Sequence, residues 1–510
     1  MAEIKSFKST NGTGIATAIA LLILFGGIAL TTLGCRREEQ ETLAASAPTS
    51  TNAITAFCSD CHAFPNPKSF DKERWQEEVE QGIRIYRQSG RTDLVIPDLA
   101  STVEFFRVDA PDEITIPMPS RVADERFIER EITWEGAVKP TSISSVRVLN
   151  ERGQQPRMLL TDMWTGALSL GEAAGDSIQI TSLGEVSHPA HIEPVDFDND
   201  PFADYLVADL GTLNPQSEKQ GSVWLMQGQS SGVPSRHPLK LGLSRVADVQ
   251  TMDYDSDGDL DLLVADFGLH FVGSIYLATN QGSSSGIPKF EWRVIDPRPG
   301  AIFLPTIDFD QDGRTDFVAV MTQQFESIEL KRNLGNGEFE TNVIFQANDP
   351  SSGTSGIELV DFDMDGDIDV LYTNGDTFDD NLAKPNHGIK WLENEGEFPF
   401  TVHDVAAMPG CYRAVSGDLD GDGDNDIAAV AYLSKYEVAK FPQDTFDGVA
   451  WFEQTEDGTF LRHSLRKNVC QAATCVLVDW DVDGDLDLLV PPSSAEHETQ
   501  DSLLLFVNEK

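Results

Sequence analysis

The chain has 510 residues, 40% of them hydrophobic and 24% charged, enough to bury more than one core and to divide into separate folded units. Its 84 acidic residues outnumber 37 basic ones for a formal charge of -47, which excludes the polyanion nucleic acid as a partner and favours divalent cations. Six cysteines are too few for a disulfide-stapled scaffold, so each is read from its neighbours.

Lys5 and Lys8 precede an uncharged apolar run, Ile15 to Leu33, that ends at Cys35-Arg36-Arg37. Residues 1–35 therefore read as an export signal long enough to span a bilayer. Leu33-Gly34-Cys35 also resembles the end of a bacterial lipoprotein signal, although Thr32 stands where Leu is usual. A lipidated Cys35 and an uncleaved signal anchor both fit, and either tethers the chain to a membrane in the cell envelope, periplasmic or at the cell surface. Residues 36–53, rich in Glu, Ala, Ser and Thr, read as a flexible tether.

Cys58-Ser59-Asp60-Cys61-His62 has the C-x-x-C-H spacing of covalent c-type haem: Cys58 and Cys61 take the vinyl groups and His62 ligates iron. Phe70, Trp75, Val79, Ile83 and Tyr86 then recur at helical spacing, with Asp71 or Ser69 as a cap, and Leu99 to Phe106 offers a second helix. Over residues 53 to about 115 the chain resembles cytochrome c, which implies a small all-α haem domain, 54–120, exchanging electrons with a redox partner protein. That family usually places a Met before the closing helix, and Gln88 to Pro97 contains none. Met118 is the nearest candidate for the sixth ligand; a vacant position or another residue is the alternative.

Beyond residue 125 an acidic loop repeats, with starts at 196, 253, 308, 361, 418 and 479. Counted from each start, carboxylates recur at positions 1, 3, 5 and 9: Asp196, Asp198, Asp200 and Asp204; Asp253, Asp255, Asp257 and Asp261; Asp308, Asp310, Asp312 and Asp316. The set continues with Asp361, Asp363, Asp365 and Asp369; Asp418, Asp420, Asp422 and Asp426; and Asp479, Asp481, Asp483 and Asp487. Oxygen ligands so spaced, with Gly at position 6 of most copies, suit calcium, whereas magnesium keeps more of its waters. No EF-hand helices flank the loops. Each runs into a β-rich segment such as Leu262 to Ala265, then a second such as Ser274 to Ala278, then often a third led by Phe290, Phe339 or Phe460.

These residues resemble FG-GAP or VCBS repeats, the units of integrin-type calcium-binding propellers, from about residue 140 to the end. The resemblance implies an all-β, seven-bladed β-propeller over 125–510. Six blades carry calcium loops, and a seventh is a degenerate copy in which Met158 to Asp162 aligns with Leu262 to Asp266 and the loop Leu149 to Arg157 has lost its Asp residues. The last strand, Ser502 to Val507, lacks a Phe-led successor, and Phe127 to Ile132 has that pattern. The N-terminal strand is thus expected to close the ring and hide both sheet edges.

If each calcium loop joins the first and second strands of a blade, the opposite face collects His188, His191, Arg245, His270, Gln323, Asp376, Asp379, Asp380, His387, Cys411, Arg413, Tyr436 and His497. The long loops Asn374 to Gly388 and Tyr432 to Gly448 are expected to shape a pocket there. One disulfide is expected among Cys411, Cys470 and Cys475, with the pairing open. No catalytic motif can be named among so many carboxylates, and the catalytic residues are unknown. Three functions compete: haem electron transfer beside a propeller that docks a glycan or protein ligand, a haem-linked oxidoreductase with its substrate site on the opposite face, and adhesion or scaffolding.

Overall fold

The computed structural model describes residues 50–509 apart from 124, 151–152, 215–217, 284–285, 336, 379 and 494–498. The signal or anchor segment, Asp379 and His497 lie outside the described residues. Everything described belongs to one compact unit, Pro48–Lys510. Among the described residues no helix is long and apolar enough to cross a membrane.

Three helices come first. Helix α1, Thr51–Cys58, starts inside the expected tether because the Ser50 side chain accepts from the Ala53 N–H and Ile54 is buried. Helix α2, Trp75–Gln88, buries Trp75, Val79, Ile83 and Tyr86 on one face. It starts later than the apolar spacing indicates: Pro67–Ser69 forms a 3-10 turn, Phe70 is extended, and Asp71 accepts from the Arg74 N–H at 2.8 Å just ahead of the helix. Helix α3, Leu99–Arg107, is capped by Asp98, which accepts from Ser101 N at 2.9 Å. Trp75 and Phe106 stack face to face with ring centres 4.1 Å apart, at the centre of the helical core.

The rest is β structure. Four sheets hold four strands each in sequence order: Pro189–Val195 to Ser235–Leu243, Val246–Met252 to Phe290–Asp296, Thr354–Val360 to Thr401–Ala407, and Cys411–Gly417 to Phe460–Lys467. A fifth has its first strand broken into Ala301–Phe303 and Thr306–Ile307, both paired with Asp316–Met321. In these sheets the second strand is buried almost throughout, as in Asp369–Asn374 and Asp426–Ala431, because neighbouring sheets pack on both its faces. The Phe-led segments begin the fourth strands Phe290–Asp296, Phe339–Gln346 and Phe460–Lys467.

The sixth sheet has eight strands and contains both ends of the β region. Phe127–Glu135 pairs antiparallel with Ser502–Asn508, from Phe127 opposite Asn508 to Thr133 opposite Ser502. That is the expected closing strand. It also makes a short parallel contact, Thr133 to Glu135 against Ser177 to Gln179, which joins the last strands to the first four. The degenerate copy supplies Arg157–Asp162, the second strand of those four.

The helices rest on the β region. Leu382 packs into the helical core, the Lys384 ammonium lies 5.3 Å from the Phe70 ring centre, and Ser69 Oγ donates to Asp349. Residues 114–120, assigned by sequence to the helical domain, belong with the β region together with the following 121–122: Ile116 is buried beside Phe452 and Met408, and Val122 forms a β-bridge with His463. Cys411, Cys470 and Cys475 are all free and buried, so the expected disulfide is not formed; each thiol fills apolar core as a small hydrophobe.

Candidate metal-binding loops and haem-attachment segment

Each acidic loop joins the first and second strands of its sheet, as expected, and all six share one backbone. Position 4 is left-handed in every copy: Asn199, Ser256, Gln311, Met364, Gly421 and Val482, with φ between 56° and 78°. Position 6 is left-handed in the five loops that carry Gly there, whereas the loop at Asp196 has Pro201. A β-branched residue such as Val482 at φ 64° is strained, and such strain persists only where the surrounding loop enforces it.

The carboxylates divide by position. Position 1 holds the turn: Asp253 accepts from the backbone N–H groups of Asp257 and Gly258, both at 3.1 Å, and Asp308 does the same for Asp312 and Gly313 at 3.1 and 3.0 Å. Position 5 accepts from the N–H of position 7, as Asp365 does from Asp367 at 2.9 Å.

Position 9 opens the second strand and is buried in all six copies. In every copy but Asp204, whose Oδ1 alone accepts from Gly228 N, its two oxygens bind different backbone segments. Asp369 accepts from Phe362 N within its loop at 3.2 Å and from Asn394 N beyond the third strand at 2.7 Å, with Trp391 Nε1 a third donor at 3.0 Å. Asp316 takes Phe309 N and Asn333 N, and Asp487 takes Trp480 N and Asn508 N. Two of the Asn residues that donate here also bind neighbouring loops: Asn333 Nδ2 reaches the Tyr254 carbonyl at 2.9 Å, and Asn508 Nδ2 the Leu419 carbonyl at 2.8 Å. Sequence reasoning missed these clamps, although Asn-x-Gly after the third strand (280–282, 333–335, 394–396) marks three of them.

In five loops, three carboxylates bring oxygens within 4.8 Å of one another: Asp253, Asp255 and Asp261; Asp308, Asp310 and Asp316; Asp361, Asp363 and Asp365; Asp418, Asp420 and Asp426; Asp479, Asp481 and Asp483. Like charges so close repel strongly. Asp257, Asp312 and Asp422, and in two loops the position-9 Asp369 and Asp487, stand outside these triads. The loop at Asp196 forms no such triad among the described residues, and Asp198 instead accepts from Gln227 Nε2 at 2.8 Å.

Several carboxylate oxygens are buried with no hydrogen-bond partner: Asp204 Oδ2, Asp361 Oδ1, Asp424 Oδ1 and Asp485 Oδ1. Asp424 and Asp485 occupy position 7, which the ligand spacing read from sequence left out. Burial first, then the neighbouring loop carboxylates, push Asp424 and Asp485 up to about 6 and Asp426 and Asp487 up to about 7. Such carboxylates want a cation, and the donor set fits calcium, whose flexible shell takes six to eight oxygens. One loop supplies a cation of its own: Arg314 holds position 7 at Asp308, pairs with Asp312 and donates to the Asn333 carbonyl at 2.7 Å.

In the helical module Cys58 ends α1 and is partly buried against its core, while Cys61 is exposed; both thiols are free. Burial raises the Cys58 thiol to about 11. The His62 Nδ1 lies 2.7 Å from the Ala63 carbonyl, which selects the tautomer with its proton on Nδ1 and leaves the Nε2 lone pair for a ligand. These residues fit a covalent haem. Met118 lies elsewhere, with Thr445 Oγ1 donating to its sulfur at 3.4 Å, and the chain from residue 50 to 117 contains no methionine.

On the opposite face, His188 and Arg245 lie in connections between sheets, His270 and Gln323 in turns after second strands, and Tyr436 in the short helix Lys435–Val438. His191, Cys411 and Arg413 are within first strands instead. His191 Nε2 lies 3.3 Å from Glu193 and 3.7 Å from Asp248, a cluster on two adjacent first strands in which the carboxylates are buried and the imidazole is partly exposed. The long loop after Asn374 carries the seat of the helices, Leu382 and Lys384, and both long loops also contribute to a cavity, through Pro385 from the first and Thr445 and Asp447 from the second.

Residues 196–264 and 308–372 match the FG-GAP-like repeat, each match beginning on the first Asp of a loop. No curated protein matches the chain. Solved structures similar to it include BBS1N in complex with ARL6DN, soaked with lead, at 11% identity and a TM-score of 0.42, covering 75% of this chain and 98% of that one. Another is Saccharomyces cerevisiae Sqt1, at 11% identity and a TM-score of 0.40, covering 69% and 82%. The chain therefore carries FG-GAP-like repeats in a propeller-like array of sheets.

Proposed function

We propose that the chain is an exported, membrane-tethered binding or scaffold module whose seven-bladed propeller is stabilised by calcium. The observation that carries the reading is the recurrence of one loop geometry, with three carboxylates converging in five copies and buried, unpartnered carboxylate oxygens beside them. Seven blades result when the eight-stranded sheet is divided at its short parallel contact into Ile143–Glu185 and a blade of Val476–Val478, Asp487–Val490, Ser502–Asn508 and Phe127–Glu135. A rigid ring of this kind presents loops to a protein or glycan partner. The test is calcium itself. Chelation with EGTA should lower the melting temperature, and calcium should restore it better than magnesium, because an ion bound only to the folded state stabilises it by mass action. An unchanged melting curve, with no metal in elemental analysis, overturns the reading.

A second role rests on Cys58, Cys61 and His62. These residues would hold one c-type haem, the thiols as thioether attachments and His62 Nε2 as axial ligand, and the group when bound supplies one-electron transfer to a redox partner protein. The free thiols and the carbonyl contact at His62 Nδ1 support it. Met118, held against Thr445, is not among the residues that would hold the group. Expression in a c-type maturation host should give a red protein that keeps its colour through acid–acetone extraction; colour lost to the solvent refutes covalent attachment. Reduction of that haem by an added sugar or alcohol would move the reading to an oxidoreductase.

A further inference from the structure

The loop at Asp308 shares its backbone with the other acidic loops but not their charge. At position 7 the loops at 253, 361, 418 and 479 carry Asp259, Asp367, Asp424 and Asp485, whereas this one carries Arg314. Arg314 Nη2 donates to Asp312 at position 5, its backbone N–H gives Asp312 a second donor at 2.9 Å, and its Nε is fixed on the Asn333 carbonyl at 2.7 Å. A second guanidinium comes from the third strand, Ser327–Asn333: Arg332 Nη1 lies 3.7 Å from Asp310 at position 3, while Nη2 donates to Glu340.

Each ligand position of this loop therefore meets a donor or a cation of the protein itself. Asp308 accepts from Asp312 N and Gly313 N at 3.1 and 3.0 Å, and Asp316 from Phe309 N and Asn333 N at 3.1 and 2.7 Å. Asp308, Asp310 and Asp316 do converge, but the first and last are engaged with backbone donors and Asp310 faces Arg332. Among the described residues, the buried carboxylate oxygens without a partner in the acidic loops belong to Asp204, Asp361, Asp424 and Asp485, and none to this loop. A calcium ion held by Asp312 at about 2.3–2.6 Å would stand a few ångströms from the guanidinium on that carboxylate, where like charges repel strongly.

We propose that Arg314 and Arg332 take the place of calcium in the loop at Asp308, which holds its shape with cations of the chain and binds no metal. The inference rests on the calcium reading of the other loops and divides the array into metal-dependent blades and one with a built-in counter-charge. A tethered guanidinium is not withdrawn by a chelator, so this blade keeps its loop when calcium is removed from its neighbours.

The test counts bound calcium by native mass spectrometry on the full chain and its variants. Asp310→Ala/Asp312→Ala, which strips positions 3 and 5, should keep every ion of the parent, whereas the matching change in another loop, Asp363→Ala/Asp365→Ala, should lose one. Arg314→Asp/Arg332→Gln gives the loop the position-7 carboxylate of its neighbours and removes both cations, and it should gain one ion. Loss of an ion from Asp310→Ala/Asp312→Ala overturns the proposal, and so does an unchanged count in Arg314→Asp/Arg332→Gln. If the arginine variant fails to fold, the count in Asp310→Ala/Asp312→Ala decides alone. A parent that holds no calcium, or an Asp363→Ala/Asp365→Ala variant that keeps every ion, overturns instead the calcium reading on which the inference rests.

Discussion

The acidic loops contain carboxylates of two kinds, and one pair of variants separates them. Asp369→Ala removes the acceptor of two backbone donors, Phe362 N and Asn394 N, both in buried residues, and of Trp391 Nε1. An orphaned buried donor costs about 1–3 kcal/mol, so the two backbone groups alone imply about 2–6 kcal/mol. This loss does not depend on metal, because the hydrogen bonds are made by protein alone. The double variant Asp363→Ala/Asp365→Ala is the converse. Those side chains are exposed and each accepts only a local N–H, from Asp365 at 3.2 Å and from Asp367 at 2.9 Å, yet with Asp361 they form the loop's triad. Its melting curve in EGTA should match the parent within the roughly 0.5 kcal/mol of an ordinary surface substitution, and metal analysis should find one calcium fewer per chain. Circular dichroism melting in calcium and in EGTA, with metal content on the same samples, reads both effects. If Asp369→Ala melts with the parent in EGTA, position 9 is not a backbone clamp; if the double variant keeps every ion, the triad is not a ligand set.

The closing strand gives a truncation test: a chain beginning near residue 124 should stay soluble, whereas one beginning near 136 loses Phe127–Glu135, exposes the edge of Ser502–Asn508 and should aggregate. Equal solubility of the two in gel filtration would remove that strand from the ring. Val482→Asn should relieve the left-handed strain at φ 64° and stabilise the calcium-loaded protein by about 1 kcal/mol in urea titration, and no gain would mean that the loop is not strained there. Burial raises Glu326 from 4.5 to about 7, so its contribution to stability is complete below pH 4.5 and is lost as pH rises through 7. Glu326→Gln should therefore flatten the stability–pH curve between pH 5 and 7.5 by up to about 3 kcal/mol relative to the parent, and superimposable curves would place the charge of Glu326 in solvent.

The features legible in the sequence are those with a period. Asp at fixed offsets, Phe at the start of the fourth strands and the apolar pattern of Phe127 to Ile132 all repeat or complete a repeat, and the strands fall where those residues place them. The illegible features depend on backbone shape or partners distant in sequence. The left-handed position 4 carries Asn, Ser, Gln, Met, Gly and Val, so no residue type marks it; hydrogen bonding around the loop imposes the conformation. Position 7 breaks the carboxylate pattern with Arg314 and Phe202 in two copies, and only burial marks the unpartnered oxygens of Asp424 and Asp485. The start of α2 failed as an expectation because Phe70 fits the apolar spacing but is buried from an extended residue ahead of the helix. The parallel contact of Thr133 to Glu135 with Ser177 to Gln179 joins segments with no sequence relation, and nothing local announces it.

The loop after Asn374 does two things at once. It is long and lies opposite the acidic loops, and its Pro385 is one wall of a cavity shared with Thr445 and Asp447. Its neighbours in sequence are committed to packing: Leu382 is part of the helical core, Lys384 faces Phe70 and pairs with Asp380 at 2.7 Å, and the Ala383 N–H is held by Glu437 at 3.0 Å. An insertion on one blade thus becomes the seat of the module that carries Cys58, Cys61 and His62, while residues 114–122 continue from that module over the same sheet and onto the next, to Val122 and His463. The helices are consequently fastened to the ring by both an insertion and a strap. A haem held by them would keep a fixed position relative to the propeller, and a partner meeting this face would meet helices and sheets as one surface.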